Sequence, residues 1–575
     1  MTLPRTADEL RAWTWPQIEP HYRDLAARTL TAGTVSHWLS DWSRLAESVT
    51  EMQNRLWVAT TANTADAEAQ RRFDSFLDDI YPAAQAAEQS LKKKLLDSGL
   101  EPDGFEIPLK NMRTEAAIFR QANLPLLAAD RKLSNEFDKI VGAQTVMWDG
   151  QEVTLVRLQA ALLDPDRARR EQAWRLGLER RLTDRDATNA LWRKFLDLRR
   201  RIAAQTDLDG DYRAYRWQQM LRFDYTPADC RTFHRAIEDV VLPAVERIHE
   251  RRRRQLGVDA LRPWDLCDGW WGRPVGPAGQ APLKPFQEVS ELQTRTSAIF
   301  HCVDPRLGAH FDTMQREGLL DLDNRKNKAP GGYCTEFTLA RRPFIFMNAI
   351  GLHDDVQTML HEGGHAFHTF ETQPLPYFHQ LSVGLEFAEV ASMGMELLAS
   401  PYLATQHGGF YSEADAARAR VEHLEAAILF WPFMAVVDAF QHWVYENPDA
   451  AMDPAACDAQ WAVFFRRFMR GVDWGGLEQE LATGWQRKGH IHQDPFYYVE
   501  YGLAQLGAIQ VWRNALKDQA AAVANYRRAL SLGGTAPLPR LYAAAGAKFA
   551  FDAETLGQAV ALVEETITAL EARTV

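Results

Sequence analysis

The 575-residue chain has no long hydrophobic run; its longest, residues 426–437, is shorter than the ~18 residues a bilayer span needs and carries Pro432, so no membrane span is expected. Cysteine is scarce. The five, Cys230, Cys267, Cys302, Cys334 and Cys457, are odd in number, widely spaced and form no C-x-x-C pair, which argues against a disulfide framework and for a reducing compartment. Basic charge is not in excess either. With 65 Lys and Arg against 77 Asp and Glu, the net charge is −12, which disfavours nucleic acid as a partner because phosphates demand concentrated cations. The cationic run at residues 249–254, His-Glu-Arg-Arg-Arg-Arg, ends a helix-like stretch and reads as a solvated helix terminus, where cations favour the dipole. The first residues lack the apolar core of a secretory signal, so a cytoplasmic protein is expected. There is no repeat of fixed period and no low-complexity tract.

Amphipathic helical patterning dominates what is present. Residues 7 to about 135 space apolar positions such as Leu25, Leu39, Trp42, Leu45, Phe76 and Ile80 among charges, with breaks predicted at Tyr81-Pro82 and at residues 101–104 (Glu-Pro-Asp-Gly). Residues 144–155 predict a β-hairpin turning at Asp149-Gly150, a pair that tolerates positive φ. Helices are predicted again at residues 167–201, 227–255, 414–444 and 502–572, and a loop at residues 264–285, which are rich in Gly, Pro and Trp. The organisation expected is an N-terminal helical region, residues 1–200, followed by a catalytic region, residues 201–575.

The chemistry concentrates at His361-Glu362-Gly363-Gly364-His365, an H-E-x-x-H arrangement inside an apolar, helix-compatible run. Chance would produce it roughly 0.03 times in a chain of this length and histidine content. Histidines four apart project from one helix face and can close on one ion, while the intervening carboxylate stands beside that ion without binding it. In this pattern Zn²⁺, one per chain, takes two imidazoles and the glutamate removes a proton from water. Gly363 and Gly364 would each cost a helix interior up to about 1 kcal/mol, so they mark a close approach by a strand or a substrate. His368 returns to the same angle, but lies roughly 10 Å further along the axis, too far to share an ion with His361, and reads as a packing residue.

A zinc site with catalytic use needs a third protein ligand and one open position. The next helical stretch offers Glu386, Glu389 and Glu396, the last two seven apart on one face. Buried carboxylates of this kind require a cation or imidazole N–H groups as partners, and spacing alone leaves all three as candidates.

At this point the residues resemble a known family. His361-Glu-Gly-Gly-His365 with Glu389-Val-Ala-Ser392 and Glu396 is similar to the thimet oligopeptidase and oligoendopeptidase F family of zinc metallopeptidases. So are Arg222-Phe-Asp-Tyr-Thr-Pro227, Leu261-Arg-Pro-Trp-Asp265, Pro343-Phe-Ile-Phe346, Asp355-Val-Gln-Thr358 and the segment from His490 to Gln505, which look like its oligoendopeptidase F branch and the Pz-peptidase-like enzymes in particular. The likeness covers roughly residues 200–510; the first 200 residues are similar only in helical character and length.

The resemblance implies a mainly α zincin with a small β-sheet beside the active-site helix and a large helical body around a substrate channel. It implies a zinc endopeptidase acting on short unstructured oligopeptides, with His361, His365 and Glu389 as ligands, Glu362 as general base and Glu396 holding a ligand histidine. The 24 positions from His365 to Glu389 suit this family better than thermolysin-like or aminopeptidase-like enzymes, whose third glutamate falls near Gly384. It also implies that His490, Tyr498 and Tyr501 donate to the carbonyl oxygen under attack, where a lost donor typically costs about 10²–10³ in rate. The segment departs by one residue from the thimet-type His-to-Tyr spacing and has fewer glycines, which leaves His492 and Tyr497 as alternatives to their neighbours.

Residues 341–347 read as a short strand with a proline at its start, suited to a sheet edge on which an extended peptide could add as a further strand. The Ala329-Pro330-Gly331-Gly332-Tyr333 stretch reads as a flexible turn able to contact substrate. Two other functions compete. A zinc exopeptidase on a related scaffold would need a charged group to fix a substrate terminus, for which Arg341 or Arg342 would serve. A non-catalytic helical metal-binding protein would have no use for Glu362.

Overall fold

The computed structural model describes residues 3–4, 6–270, 272, 275–276 and 283–572. The loop expected at residues 264–285 therefore lies in part outside the described residues. The chain is mainly helical with two small sheets, β1 (Thr145–Trp148) with β2 (Gln151–Thr154), and β3 (Leu320–Asp323), β4 (Tyr333–Phe337) and β5 (Arg342–Ala349) in the order β3-β5-β4. It divides into two compact units, each assembled from three segments. The first comprises Met1–Ala117, Leu283–Ala416 and Gly507–Phe549, the second Ile118–Pro282, Ala417–Leu506 and Ala550–Val575.

In the first unit the Val35–Ala62 helix is the spine of an apolar core in which Trp38, Leu39, Trp42 and Leu45 are fully buried. Leu25, Phe76 and Ile80, picked out by their spacing, lie in that core too. The break predicted at Tyr81-Pro82 does not occur. Pro82 sits in the first turn of the Tyr81–Ser98 helix, and a π-type turn at Phe76–Ile80 joins it to the preceding Ala67–Ser75 helix without interruption. Proline has no N–H to donate and its ring crowds the carbonyl four residues back, and a widened turn relieves both problems. The break at residues 101–104 is real, since the helix stops at Gly99, with φ 66°, and a new one begins at Glu106.

The three-stranded sheet differs from expectation in its order. β5 is the central strand, parallel to β3 and antiparallel to β4, so the strand expected at the edge is interior and β4 is an edge. Pro343 removes one ladder donor at the start of β5, which eight residues of mostly buried side chains tolerate. The glycine turn before β4 is tied down rather than loose. Ala329 N–H donates to Thr61 O at 2.8 Å, Asn348 Nδ2 donates to Ala329 O and Gly331 O at 2.8 and 2.9 Å, and Tyr333 stacks on Phe346.

In the second unit β1 and β2 form the predicted hairpin, with Asp149 at φ 50° and Gly150 at φ 80°. A second π-type turn, Ile237–Val241, precedes Pro243 and joins the Pro227–Ala236 and Leu242–Leu256 helices. The long helix Glu413–Glu446 runs through Pro432. It is long and apolar enough to cross a membrane by composition, but 83% of its most apolar window is buried, as in a core helix.

That helix also explains the cationic run, which is not simply a solvated terminus. Glu425 is fully buried and accepts from Arg251 at 2.5 Å and Arg252 at 2.7 Å; Arg252 is itself buried, as is His249. Only Arg253 and Arg254, paired with Glu250, behave as a surface cluster. A buried carboxylate left without its cations, or the reverse, is expensive. Glu425→Ala is therefore expected to destabilise the protein by about 3–5 kcal/mol, read from denaturant unfolding, whereas Glu250→Ala leaves the unfolding midpoint nearly unmoved.

Candidate metal centre

Two helices of the first unit build the site. The His353–Thr372 helix begins where Asp355 accepts the backbone N–H groups of Ile350, Gly351 and Leu352 at 2.8 to 2.9 Å, satisfying donors that a helix start leaves open. Two turns on, His361 and His365 share a face with their rings 5.0 Å apart. The Leu385–Ala399 helix crosses at very short range. A Cβ on Gly364 would stand 2.4 Å from Ala391 O and 2.6 Å from Ser392 Cα, and one on Gly363 would stand 2.5 Å from the Phe300 ring. The close approach that the glycine pair signalled is thus made by a helix backbone and an aromatic ring, not by a strand or a substrate.

This crossing brings Glu389 over the two imidazoles. Its Oε2 lies 3.5 Å from His361 Nε2 and 3.8 Å from His365 Nε2, and all three donor atoms fall within 4.8 Å of one another. Two ligands each about 2.1 Å from a tetrahedral ion stand about 3.4 Å apart, so the set fits a single Zn²⁺. Glu396 accepts from His361 Nδ1 at 2.6 Å, a bond that in the neutral imidazole leaves the Nε2 lone pair facing Glu389. Ser392 Oγ donates to Glu389 Oε2 at 2.9 Å, and Tyr526 Oη donates to Ala391 O at 2.6 Å, fixing the backbone that Gly364 abuts. Glu386 and His368 are buried on the same two helices but outside this trio.

Glu362 is buried beside the trio, and the Cys334 backbone of edge strand β4 is one of the influences that hold its carboxyl down. Burial, opposed by the His361 imidazole and reinforced by Glu389, pushes Glu362 up to about 7. Burial raises Glu389 as well, and it drives His365 down to about 3 with help from His361 and His368. For His361, burial is outweighed by the Glu396 hydrogen bond and the surrounding carboxylates, which lift it to about 9. A dication would reverse these tendencies, favouring neutral imidazoles and charged carboxylates together.

The second unit gathers the other expected residues. The His490 ring lies 5.1 Å from Tyr498, 6.2 Å from Tyr501 and 5.8 Å from Tyr497. Tyr498 is buried and its Oη accepts from Lys488 Nζ at 3.0 Å, a partner the sequence reading did not single out. His492 stands apart from the tyrosines, packed face to face with Phe137 and Trp485 at 4.4 and 5.6 Å. It is a core histidine, whereas Tyr497 stays with the group.

Fold and donor set together define a zincin-type metallopeptidase scaffold. The chain belongs to peptidase family M3, whose sequence model matches residues 160–559, with the Peptidase M3 N-terminal domain matching residues 10–106. A structure of Pz peptidase A with inhibitor 2 is 25% identical with a TM-score of 0.84, covering 99% of this chain and 98% of that one. A second structure, assigned to oligoendopeptidase F, is 26% identical with a TM-score of 0.84 over 99% and 98% of the two chains. Oligopeptidase PepF of Bacillus subtilis (strain 168) is 22% identical over 301 residues, 51% of this chain, and the match spans 42% of that curated relative. The likeness therefore reaches into the first 200 residues, further than the sequence motifs extend.

Gly364→Ala is expected to force the two helices apart at backbone atoms that cannot yield, costing about 1–3 kcal/mol in stability and lowering zinc retention on dialysis. Phe300→Ala, in the same core but away from the crossing backbone, should reduce stability without the same loss of zinc.

Proposed function

We propose that this protein is a zinc-dependent endopeptidase hydrolysing short unstructured oligopeptides. The observation carrying this reading is the convergence of His361, His365 and Glu389 with the buried, non-ligating carboxylate of Glu362 one residue from the first ligand. His361, His365 and Glu389 would hold the zinc, which when bound supplies Lewis acidity towards the scissile carbonyl and acidifies a water. Glu396 keeps His361 in the tautomer and orientation that binding requires. Glu362 accepts the proton of the attacking water at a carboxylate oxygen and delivers it to the departing amine nitrogen. Tyr498, Tyr501 and His490 serve as donors to the developing oxyanion, a role supported by family membership and by their clustering.

The β4 edge supports recognition of peptides by main-chain pairing, because an edge strand offers unpaired N–H and C=O groups to an extended chain irrespective of its side chains. Five free cysteines are consistent with a cytoplasmic setting. The exopeptidase reading loses its anchor. Arg341 is committed to Glu47 at 2.6 Å and to the Gln373 and Leu375 carbonyls at 2.9 Å, and Arg342 to Glu317 at 2.7 Å.

Glu362→Gln is expected to retain zinc while turnover falls by about 10²–10⁴-fold, and Glu389→Ala to lose the metal; elemental analysis beside a peptide-cleavage assay checks both. A peptide acetylated at its N-terminus and amidated at its C-terminus is expected to be cut internally, with the fragments identified by mass spectrometry. Cleavage confined to free-ended peptides would instead favour the exopeptidase.

A further inference from the structure

The second unit holds another convergence of donors that the chemistry above does not use. Cys230 and His234 lie four apart on the Pro227–Ala236 helix, and Asp438 and His442 lie four apart on the Glu413–Glu446 helix, so each pair projects from one face. Cys230 Sγ, an Asp438 carboxylate oxygen and a His442 ring nitrogen fall within 4.8 Å of one another. His442 Nε2 is 3.3 Å from Asp438 Oδ2, and His234 Nε2 is 2.8 Å from the same oxygen. All four side chains are buried, Cys230 and Asp438 completely.

Their polar atoms are poorly satisfied. His442 Nε2 faces Asp438 Oδ2, but His442 Nδ1 and Asp438 Oδ1 have no hydrogen-bond partner. Buried polar atoms in native proteins are rarely left so, and each exception calls for an explanation. The nearby cations are committed elsewhere, Arg222 to Glu500 at 2.7 Å and Arg213 to Glu446. Trp217 and Phe496 close over the His442 ring, so there is no open face for a substrate.

We infer that Cys230, Asp438 and His442 form a buried divalent-metal site of the zinc type, with His234 holding the Asp438 carboxylate from outside the trio. The donor chemistry fits. Thiolate, carboxylate and imidazole are zinc ligands, and a thiolate and a carboxylate neutralise a dication in a low-dielectric interior. Such an ion would pin the Pro227–Ala236 helix to the Glu413–Glu446 helix inside this unit.

Cobalt distinguishes this site from the first, because the His361–His365–Glu389 set contains no thiolate. The full-length protein expressed in cobalt-supplemented medium is expected to carry two Co²⁺ per chain and to show a near-ultraviolet thiolate-to-cobalt charge-transfer band. Cys230→Ser should abolish the band, while His361→Ala and Cys334→Ser should keep it. A wild-type protein without the band overturns the inference, as does a band that survives Cys230→Ser or disappears in Cys334→Ser. Failure of the catalytic reading would look different, as a single Co²⁺ whose band and stoichiometry are untouched by His361→Ala.

Discussion

The backbone contact at Gly364 is the constraint on which the site depends. A zinc triad drawn from two helices needs their axes close enough for a glutamate carboxylate to reach imidazoles on the neighbouring helix, and here the distance is set by the absence of a side chain against Ala391 and Ser392. Two glycines in a helix interior cost up to about 2 kcal/mol together. The crossing they permit is held on its far side by Tyr526, which bonds the Ala391 carbonyl, and on the ligand side by Ser392, which bonds Glu389. Four carboxylates, Glu362, Glu386, Glu389 and Glu396, are thereby drawn into or beside a largely apolar interface with two imidazoles. That much negative charge in so little water is a standing demand for a cation.

The same logic of commitment separates groups available for chemistry from those that hold the fold. Arg341 and Arg342 are the residues a terminus clamp would draw on, yet each is already bound by carboxylates or carbonyls. Arg251 and Arg252 look like surface charge in the sequence and are instead the counterions of a carboxylate at the centre of the second unit. Glu362 is the contrasting case. It is buried, its ordinary ionisation is opposed by its surroundings, and no arginine or lysine is bound to it. A buried carboxylate without a bound arginine or lysine is suited to accept and return a proton.

What could be read from the sequence follows from range. The hairpin at Asp149-Gly150 and the H-E-x-x-H helix are local, decided by φ preferences and a 3.6-residue period, and both were legible. Choosing Glu389 over Glu386 and Glu396 required knowing the crossing angle of two helices, which spacing does not contain and family resemblance supplied. Sheet order was not legible for a related reason. A proline at the start of β5 argues for an edge, but pairing on both sides is settled by β3 and β4 arriving from elsewhere in the chain. Pro82 misled because a π-type turn can absorb a proline without ending a helix, and nothing in Tyr81-Pro82 distinguishes the two outcomes. His490 and His492 look equivalent two residues apart. Only the aromatic stack of Phe137 and Trp485 assigns one of them to the core.

The order β3-β5-β4 has a consequence for recognition that the edge-β5 reading would have missed. With β5 interior, its hydrogen bonds are used twice over in the sheet, and it becomes a rigid floor beneath the His353–Thr372 helix. β4 has no strand on its other side, where Asn54 Nδ2 donates to the Glu336 carbonyl at 2.8 Å. A chain adding to that edge would have its register fixed by backbone rather than side chains. Selectivity for sequence would be weak and selectivity for extended conformation strong, since a folded protein presents few unpaired strands of its own. The glycine turn leading into β4 is anchored by Thr61 and Asn348, so the edge is held in place before any peptide arrives, which lowers the ordering cost of binding.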